Sequence, residues 1–322
     1  MAVLLSRDDL HPFFADPTNV DDCADAVLEA YRAADVASGS PLARLLVPMG
    51  TAAPATVTVS SSPAHGALVQ LRPRPERDPP PDTRLGIYAR GGRVVALLGV
   101  QDLDLLRVAV PSLIACRTLR PESTRVVTVL GSGIQGRAHA RALRIGLSDL
   151  TEMRIYSPTT AHREGLAREL NASPGPPVRA TGSAREALEG ADVIVATALS
   201  DVPVFDVRDV REGALIVSIA RGQLPVELTD LARIFTVTTA DSDARREVRA
   251  RDSSAPLDPR WTRIETAGTL LDVIDGRVAV RTEPDQTVLF MQMGLPGVEA
   301  AIIDRVLRWA EKRGVGRQVA LS

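Results

Sequence analysis

The sequence predicts an α/β fold in which a doubly wound parallel sheet is joined to a second, α+β domain. Beyond residue 121, apolar strand-like runs alternate with helical patterns, which indicates parallel strands connected by right-handed crossovers. Before residue 121, short strand-like runs lie between helical patterns, which is typical of an antiparallel sheet beside helices. A chain of 322 residues has room for about two domains of ~100–200 residues each. We therefore expect one domain from residues 1–120, completed by residues 290–322, and another from residues 121–289.

In the first domain the pattern predicts two helices and several short strands. One helix covers residues 19–38, with Asn19 as its N-cap. Another covers residues 101–118, and Pro111 inside it predicts a kink or a break. Gly91-Gly92 joins two strand-like runs and predicts a hairpin. The strands are expected at residues 41–47, 56–59, 67–71, 85–88 and 94–98.

In the second domain the alternating pattern predicts five strands with helices between them. The helices begin near Gly136, near Thr160 and at Ser183, where Ser183 and Glu186 have the spacing of a capping box. The strands are expected at residues 126–130, 153–156, 193–197, 215–219 and 234–237.

Helical periodicity also predicts which faces are buried. The helix near Gly136 has Ala138, Ala142 and Ile145 on one face and Arg137, Arg141 and Arg144 on another. A final helix covers residues 298–313 and ends at Gly314. Its buried side is expected to hold Ile302, Val306 and Trp309, and its solvent side Asp304, Arg305, Arg308 and Lys312.

Composition excludes several classes of function. The net charge is −2 and aromatic residues make up 3% of the chain, so we expect no nucleic-acid partner. Cys23 and Cys116 lie far apart with no ligand spacing around them, which predicts buried thiols, no metal site and a reducing cytoplasm. The apolar run at the N-terminus is too short for a signal peptide, and no run is long enough for a membrane span. We expect a soluble, cytoplasmic protein.

A single lysine restricts the chemistry further. Lys312 is the only lysine, and it lies near the end of the final predicted helix, whereas the chain has 37 arginines. A mechanism with a catalytic lysine in a central site is therefore not expected. Arginine binds carboxylates through two parallel hydrogen bonds, but it stays protonated and is a poor acid or base.

A glycine-rich turn follows the first strand of the second domain. The strand 126–130 runs into Gly131-Ser132-Gly133-Ile134-Gln135-Gly136, and a helical pattern follows directly. Gly131 permits a tight turn, Gly133 lets the backbone approach a pyrophosphate, and Gly136 lets the helix pack closely on the strand. The phosphates are then bound by the N–H groups at the helix N-terminus. This arrangement predicts a Rossmann-type dinucleotide-binding domain.

The end of the second strand bears on the choice of nucleotide. NAD-binding domains place an acidic residue about 20 residues past the glycines. Residues 155–163 contain no Asp or Glu, whereas Ser157 and Thr159 offer hydroxyls and His162 or Arg163 offers positive charge to a 2′-phosphate. NADP is therefore favoured over NAD. The alternative is that Thr159 or Thr160 only caps the next helix and Arg163 is a solvated helix residue.

Several stretches together resemble the ornithine cyclodeaminase/mu-crystallin family. They are residues 129–139 with the Gly-Ser-Gly-Ile-Gln-Gly motif, 190–198, 213–217, 106–109, and 293–295 followed by Glu299. The family includes cyclodeaminases, alanine dehydrogenases, ketimine reductases and an NADPH- and thyroid-hormone-binding protein. The resemblance implies a nicotinamide cofactor facing a small amino-acid-like substrate, in a homodimer built by the non-nucleotide domain. It also implies that Thr197 and Ala198 lie near the nicotinamide ribose.

The resemblance assigns two arginines to the substrate and draws attention to a third. Arg107 occupies the family's Leu-Arg-Thr-Ala position, although Val108 replaces the threonine, and Arg44 falls where the family has its first carboxylate-binding arginine. Two arginines converging on a carboxylate fix its orientation through charge-assisted bonds. A structural ion pair is the alternative for each. Arg221 stands near the position of the family's aspartate, where it either binds a second acidic group or forms a surface or ion-pair contact.

The family's lysine is also missing. Its position falls at Leu68, Gln70 or, in a shifted register, Arg72. Cyclodeamination needs acid and base groups on both sides of the cofactor, whereas hydride transfer to a protonated imine needs mainly orientation. We therefore expect an NAD(P)-dependent enzyme that reduces the imine of a small carboxylate, or an amino-acid dehydrogenase. The alternatives are a non-catalytic NADPH-dependent binding protein of mu-crystallin type and an amino-acid cyclodeaminase.

Overall fold

The chain forms two compact units, which are described separately. A computed structural model describes residues 1–16, 18–36, 42–49, 52–62, 64–72, 84–220, 222–237, 258–292 and 297–321. The first unit comprises Met1–Arg107 with Leu295–Ser322, and the second comprises Val108–Gly294. The domain boundaries at 120/121 and 289/290 stay a prediction.

A seven-stranded sheet forms the centre of the first unit. Its strands are β1 (Ala2–Leu5), β2 (Leu42–Met49), β3 (Ala52–Ser62), β4 (Gly66–Arg72), β5 (Leu85–Arg90), β6 (Arg93–Gly99) and β15 (Arg317–Val319). They are arranged in the order β15-β1-β6-β5-β4-β3-β2, and only the β1–β6 pair is parallel. Gly91 and Gly92 have φ values of 58° and 74°, as a tight two-residue hairpin turn requires. The predicted antiparallel sheet and hairpin are confirmed.

Four helices in the described part of the chain contribute to this unit. They are α1 (Arg7–Ala15), α2 (Thr18–Val36), the first part of α3 (Gln101–Leu119) and α9 (Val298–Arg313). Helix α9 has the predicted bounds and ends at Gly314, whose φ of 64° is favourable for glycine. The predicted N-cap at Asn19 is wrong, because Asn19 lies inside α2 and donates its side-chain amide to the Phe13 carbonyl at 2.8 Å.

The solvent-facing position predicted for Asp304 is also wrong. Its side chain accepts bonds from Tyr88 Oη at 2.8 Å and Arg90 Nη1 at 3.1 Å, and it lies 3.2 Å from His65 Nδ1. Helix α9 packs on α2 and on β3 and β4 as well, so more than one of its faces is covered. A helix covered on two sides buries polar positions that a single apolar stripe would leave outside.

The second unit contains an eight-stranded parallel sheet. Its strands are β7 (Val126–Leu130), β8 (Glu152–Tyr156), β9 (Val178–Ala180), β10 (Val193–Ala196), β11 (Leu215–Ser218), β12 (Arg233–Thr236), β13 (Gly268–Thr269) and β14 (Val288–Met291). Their order is β9-β8-β7-β10-β11-β14-β12-β13. All five predicted strands are present, but β9, β13 and β14 were not predicted. Residues of β10, β11 and β14 are buried without alternation, because both faces of a parallel sheet are covered.

The helices of this unit follow the predicted alternation. They are the rest of α3, α4 (Ile134–Gly146), α5 (Thr160–Asn171), α6 (Ala184–Leu188), α7 (Leu228–Leu231) and α8 (Leu270–Ile274). Helix α3 continues through Pro111, so of the predicted kink or break the break is wrong, and the kink stays a prediction. Ser183 caps α6 by accepting the Glu186 N–H at 3.1 Å, but the Glu186 carboxylate bonds the Gly182 N–H instead of completing the box.

On α4 the predicted faces hold only in part. Ile145 is 42% exposed, whereas Arg144 is buried and donates to the carbonyls of Leu170, Ser173 and Pro176. Both cysteines are buried and free, and burial raises the pKa of each thiol to about 12. Within the described ranges, no cluster of three or more His, Cys, Asp or Glu side chains is placed to hold a metal. No described helix is both long enough and apolar enough to cross a membrane.

Candidate functional site

The glycine turn is fixed by contacts that leave no room for side chains at two of its three glycines. Gly131 follows β7, has a φ of 124° and donates its N–H to the Tyr156 carbonyl at 2.8 Å. A Cβ on Gly131 would lie 2.6 Å from Thr197 Oγ1. A Cβ on Gly136 would overlap the Gly131 carbonyl oxygen. Both glycines are therefore required by the protein's own packing.

Gly133 is different, because its surroundings are open. A Cβ built there would meet no atom within 4 Å. Gly133 is the N-cap of α4 and brings no side-chain bond to the helix end. The N–H groups of Ile134, Gln135 and Gly136 belong to the first turn of a helix, where N–H groups have no partner within the helix. The result is a cradle of backbone donors beside open space, which fits a pyrophosphate.

The residues predicted to bind the adenosine end lie together beside this cradle. Ser132 Oγ and Ser157 Oγ are 2.7 Å apart. Arg163 donates from Nη1 to the carbonyls of Ser157 at 2.9 Å and Pro158 at 3.1 Å. Its guanidinium lies 6.0 Å from the centre of the Tyr156 ring. Positive charge is thus held at the end of β8 and not directed away into solvent.

Thr159 is the N-cap of α5, but its side chain makes no capping hydrogen bond. The residue is exposed and precedes α5 directly. The capping alternative for its hydroxyl is therefore not observed. This hydroxyl stays a predicted ligand of the 2′-phosphate.

Thr197 and Ala198 follow β10, the strand next to β7 on the side where the strand order reverses. Thr197 is buried, and both its N–H and its Oγ1 donate to the Leu130 carbonyl, at 2.9 Å and 3.1 Å. Ligands of doubly wound sheets bind outside the carboxyl ends of the strands at such a switch point. The structure thus places these two residues beside the glycine turn.

The sequence predictions did not include three buried polar residues close to this turn. His139 Nδ1 lies 2.8 Å from the Gln135 carbonyl, and His139 Nε2 lies 3.0 Å from Ser112 Oγ. Ser112 Oγ in turn lies 2.5 Å from the side-chain amide of Gln292, which directly follows β14. Burial lowers the pKa of His139 to about 4, so its imidazole is neutral at pH 7. The available signal was a polar residue at an otherwise apolar helix position.

Arg107 lies in the first unit, where it forms an ion pair. Its Nε is 3.5 Å from Oε1 of Glu299, on the first turn of α9. The Glu299 side chain is 8% exposed and that of Arg107 is 30% exposed. A buried carboxylate orients the guanidinium and balances its charge. The ion-pair interpretation and the substrate-binding interpretation are therefore compatible.

The other two arginines are defined less closely. The backbone of Arg44 lies on β2 directly opposite Thr58, which is directly opposite Gln70 on β4. Its side chain lies outside the described part of the structure, and so does all of Arg221.

No base occupies the candidate positions for the family's lysine. Leu68 is fully buried, and Gln70 is 1% exposed. The Gln70 side-chain oxygen accepts from Arg72 Nε at 3.0 Å. Leucine, glutamine and arginine at these positions offer no group that exchanges a proton near neutral pH.

Comparison with known proteins agrees with this geometry. The model of the ornithine cyclodeaminase/mu-crystallin family matches residues 89–310. The chain belongs to this family. A Delta(1)-pyrroline-2-carboxylate reductase from Bacillus cereus is 24% identical over 71% of the chain and 70% of the relative. A ketimine reductase mu-crystallin from Macropus fuliginosus is 28% identical over 66% of the chain and 64% of the relative.

The family assignment is matched at the level of the fold. An archaeal alanine dehydrogenase dimer with bound NAD superposes with a TM-score of 0.78 at 19% identity, covering 100% of the chain and 99% of that protein. The predicted fold class and family are confirmed.

Proposed function

We propose that this family member is an NAD(P)-dependent oxidoreductase that transfers hydride to the C=N bond of a small imino acid. The observation that carries the proposal is the intact glycine turn, with two glycines required by packing and a third facing open space. Relatives named as reductases of pyrroline-2-carboxylate and of ketimines support the choice of reaction.

The cofactor is held by the cradle and by the residues around it. Gly131, Ser132, Gly133, Ile134, Gln135 and Gly136 bind the pyrophosphate, Ser157, Thr159 and Arg163 bind the adenosine end, and Thr197 and Ala198 lie by the nicotinamide ribose. Arg163 and the lack of an acidic residue at the end of β8 favour NADP over NAD. The reduced nicotinamide supplies the hydride, and the protein supplies orientation.

The substrate's carboxylate is bound by Arg44 and Arg107. Glu299 orients Arg107 so that the guanidinium presents a fixed set of donors. Arg221 binds a second acidic group where the substrate has one. A protonated imine is already electrophilic, so it needs no lysine to activate it. The protein has only to orient the imine carbon toward the hydride of the cofactor.

Reduced-nicotinamide absorbance tests this function directly. Purified protein is incubated with NADPH, or with NADH, and a panel of cyclic and linear ketimines that carry a carboxylate. We expect imine-dependent oxidation of the cofactor, faster with NADPH. Dinucleotide binding without oxidation by any imine would contradict the enzyme proposal.

The same experiment separates two competing functions. The lack of a base at Leu68, Gln70 and Arg72 favours a binding protein of mu-crystallin type, which predicts tight NADPH binding and no turnover. A cyclodeaminase instead releases ammonia from ornithine or lysine with catalytic amounts of NAD alone. Ammonia release therefore distinguishes the third possibility from the first two.

We also propose that the protein is a cytoplasmic homodimer that associates through the first unit. Leu45, Leu71 and Leu85 are 59%, 37% and 42% exposed. The register places Leu45 opposite Val57, Val57 opposite Leu71, and Leu71 opposite Leu85, so all four share one face of the sheet. An apolar face of this kind fits a second copy of the chain. The free cysteines fit a reducing compartment.

Charge placed on this face tests the association. Leu85→Glu is expected to convert a dimer into a monomer in analytical ultracentrifugation. Leu321→Glu is the matched control, because Leu321 is also exposed, at 54%, but lies outside the sheet. A monomeric wild-type protein would overturn the proposed dimer.

A further inference from the structure

Three buried side chains of the second unit form a chain of hydrogen bonds that reaches the edge of the sheet. His139 and Ser112 are fully buried, and Gln292 is 3% exposed. His139 lies on α4, one turn after Gln135, and Ser112 lies on α3. Gln292 directly follows β14, and its N–H donates to the carbonyl of Ser218, the last residue of β11, at 2.9 Å.

The protons in this chain can be counted from its geometry. The Gln135 carbonyl can only accept, so His139 Nδ1 carries the proton that lies between them. A neutral imidazole has one proton, and Nε2 is therefore an acceptor. Among the described residues, only the Ser112 hydroxyl is in place to donate to it, at 3.0 Å.

That assignment uses the single hydroxyl proton of Ser112. The Val108 carbonyl, 3.1 Å from Ser112 Oγ, does not depend on the hydroxyl proton, because it has the Ser112 N–H as its helical donor, whereas His139 Nε2 has no such second donor among the described residues. The structure places Gln292 Oε1 2.5 Å from Ser112 Oγ, so the proton count requires the amide to be turned over, with its nitrogen at this position donating to Ser112. Amide oxygen and nitrogen are assigned from the hydrogen-bond network, so the proton count decides which of them faces Ser112. In the turned-over orientation, the NH₂ group faces Ser112 and the carbonyl oxygen of the amide faces away from it.

The orientation of Gln292 matters because of its place in the fold. It sits at the carboxyl end of β14, next to the end of β11. Ligands of doubly wound sheets bind outside these strand ends. An amide oxygen held there is an acceptor for an N–H group, which the carboxamide of a nicotinamide and a protonated imine both have.

We propose that His139 is a positioning residue, which acts through Ser112 to hold the Gln292 amide with its oxygen directed toward the ligand N–H groups at the carboxyl edge of the sheet. This inference rests on the proposed reductase function. In this proposal His139 touches neither cofactor nor substrate, and Gln292 is the residue whose orientation it controls.

Substitutions at His139 test the proposal, because they should lower kcat without changing the affinity for NADPH. His139→Gln keeps an acceptor oxygen for the Ser112 hydroxyl, whereas His139→Leu leaves none. We expect His139→Leu to lower kcat for the imine about 10- to 100-fold, because misplaced reactants lose rates of this order. The Kd for NADPH should change less than about threefold, since the pyrophosphate cradle is built from backbone groups. His139→Gln should recover most of kcat.

A histidine-to-leucine substitution at another site serves as the matched control for effects that do not depend on the position of His139. His11 is exposed on α1, and His11→Leu should leave kcat at the wild-type value. Thermal unfolding of each variant shows whether the fold is retained. Equal kcat for His139→Leu and wild type, or equal loss for His139→Leu and His139→Gln, would overturn the proposal.

Gln292→Glu provides the second test. A carboxylate can only accept, so it competes with His139 Nε2 for the one hydroxyl proton of Ser112. We expect a loss of kcat at least as large as that of His139→Leu. A fully active Gln292→Glu variant would show that Ser112 donates to Gln292, and would refute the proposed direction of the bonds.

The tautomer of His139 can be read without any turnover. Nitrogen chemical shifts of the imidazole in the wild-type protein should show Nδ1 protonated and Nε2 unprotonated. This measurement needs no substitution, so it remains possible if a variant fails to fold. The opposite tautomer would overturn the proposal. If the wild type binds NADPH but reduces no imine, the proposed function fails, and the tautomer measurement still decides the hydrogen-bond order.

Discussion

The two units build their candidate ligand-binding groups in different ways. In the second unit the cradle consists of backbone N–H groups and three glycines within six consecutive residues. In the first unit Arg107 depends on Glu299, which lies 192 residues further along the chain but 3.5 Å away from it. A local backbone site is fixed by a short motif, whereas a side-chain site needs the whole fold. We expect substitutions in the backbone site of the second unit to have large effects, and substitutions in the side-chain site of the first unit to have graded effects on activity.

Gly136→Ala is expected to have the largest effect, because the overlap is with backbone. The new Cβ would strike the Gly131 carbonyl oxygen, and neither the strand end nor the helix can move away alone. We expect the free energy of unfolding to fall by about 3 kcal/mol, as for severe overpacking. NADPH binding should be lost. Thermal unfolding and fluorescence titration measure the two effects.

Gly165→Ala is the matched control. Gly165 lies inside α5, and a Cβ there would meet nothing within 4 Å. The change should leave stability unchanged or raise it by about 0.5–1 kcal/mol, because alanine favours the helix. If both variants behave alike, the turn is not packed as the structure indicates.

Arg107→Gln tests the side-chain site and should produce the next largest effect. Loss of a charge-assisted contact to a carboxylate costs about 2–3 kcal/mol, or a factor of roughly 100 in kcat/KM for the imino acid. The Kd for NADPH should stay within about twofold, because the cradle belongs to the other unit. Steady-state kinetics and NADPH titration together measure this contrast.

The Glu299→Gln variant separates the two roles of Arg107. It retains an acceptor for Arg107 Nε while removing the negative charge, so we expect a smaller loss of kcat/KM than for Arg107→Gln. Wild-type kcat/KM in Arg107→Gln would leave only the ion-pair role.

The same contrast explains how much could be predicted from the sequence. The strand, turn and helix at the glycine motif, the five predicted strands and the end of α9 at Gly314 depend on neighbouring residues, and these structural predictions are confirmed. Asp304 was misplaced, because its burial depends on Tyr88 of β5 and on His65 in the turn before β4, both distant in the sequence. The interaction of Arg107 with Glu299 could not be seen for the same reason.

The strand β14 shows another limit. Val288–Met291 has only four apolar residues, too few to separate a buried strand from a connection by periodicity. Its place between β11 and β12 is a property of the assembled sheet. The register that sets Arg44 opposite Thr58 and Thr58 opposite Gln70 is likewise defined only by strand pairing.

Gly133→Ala should weaken cofactor binding without changing the stability of the fold. Nothing lies within 4 Å of the added Cβ, so the free energy of unfolding should change by less than about 0.5 kcal/mol. The Cβ would instead occupy space that the pyrophosphate needs. We expect the Kd for NADPH to rise about tenfold, which is roughly 1.4 kcal/mol. Unchanged affinity would place the phosphates elsewhere.

The smallest effect is expected for Arg163→Gln, which should reduce the preference for NADPH over NADH. Arg163 donates to the Ser157 and Pro158 carbonyls through one nitrogen, and its charge stays at the end of β8. A partly exposed charge at the surface contributes about 0.2–1 kcal/mol, so the ratio of the NADH to the NADPH Kd should fall by up to about fivefold. The change should come from NADPH alone, because NADH has no 2′-phosphate. Equal weakening of both cofactors would instead show that Arg163 acts by shaping the strand end around Ser157.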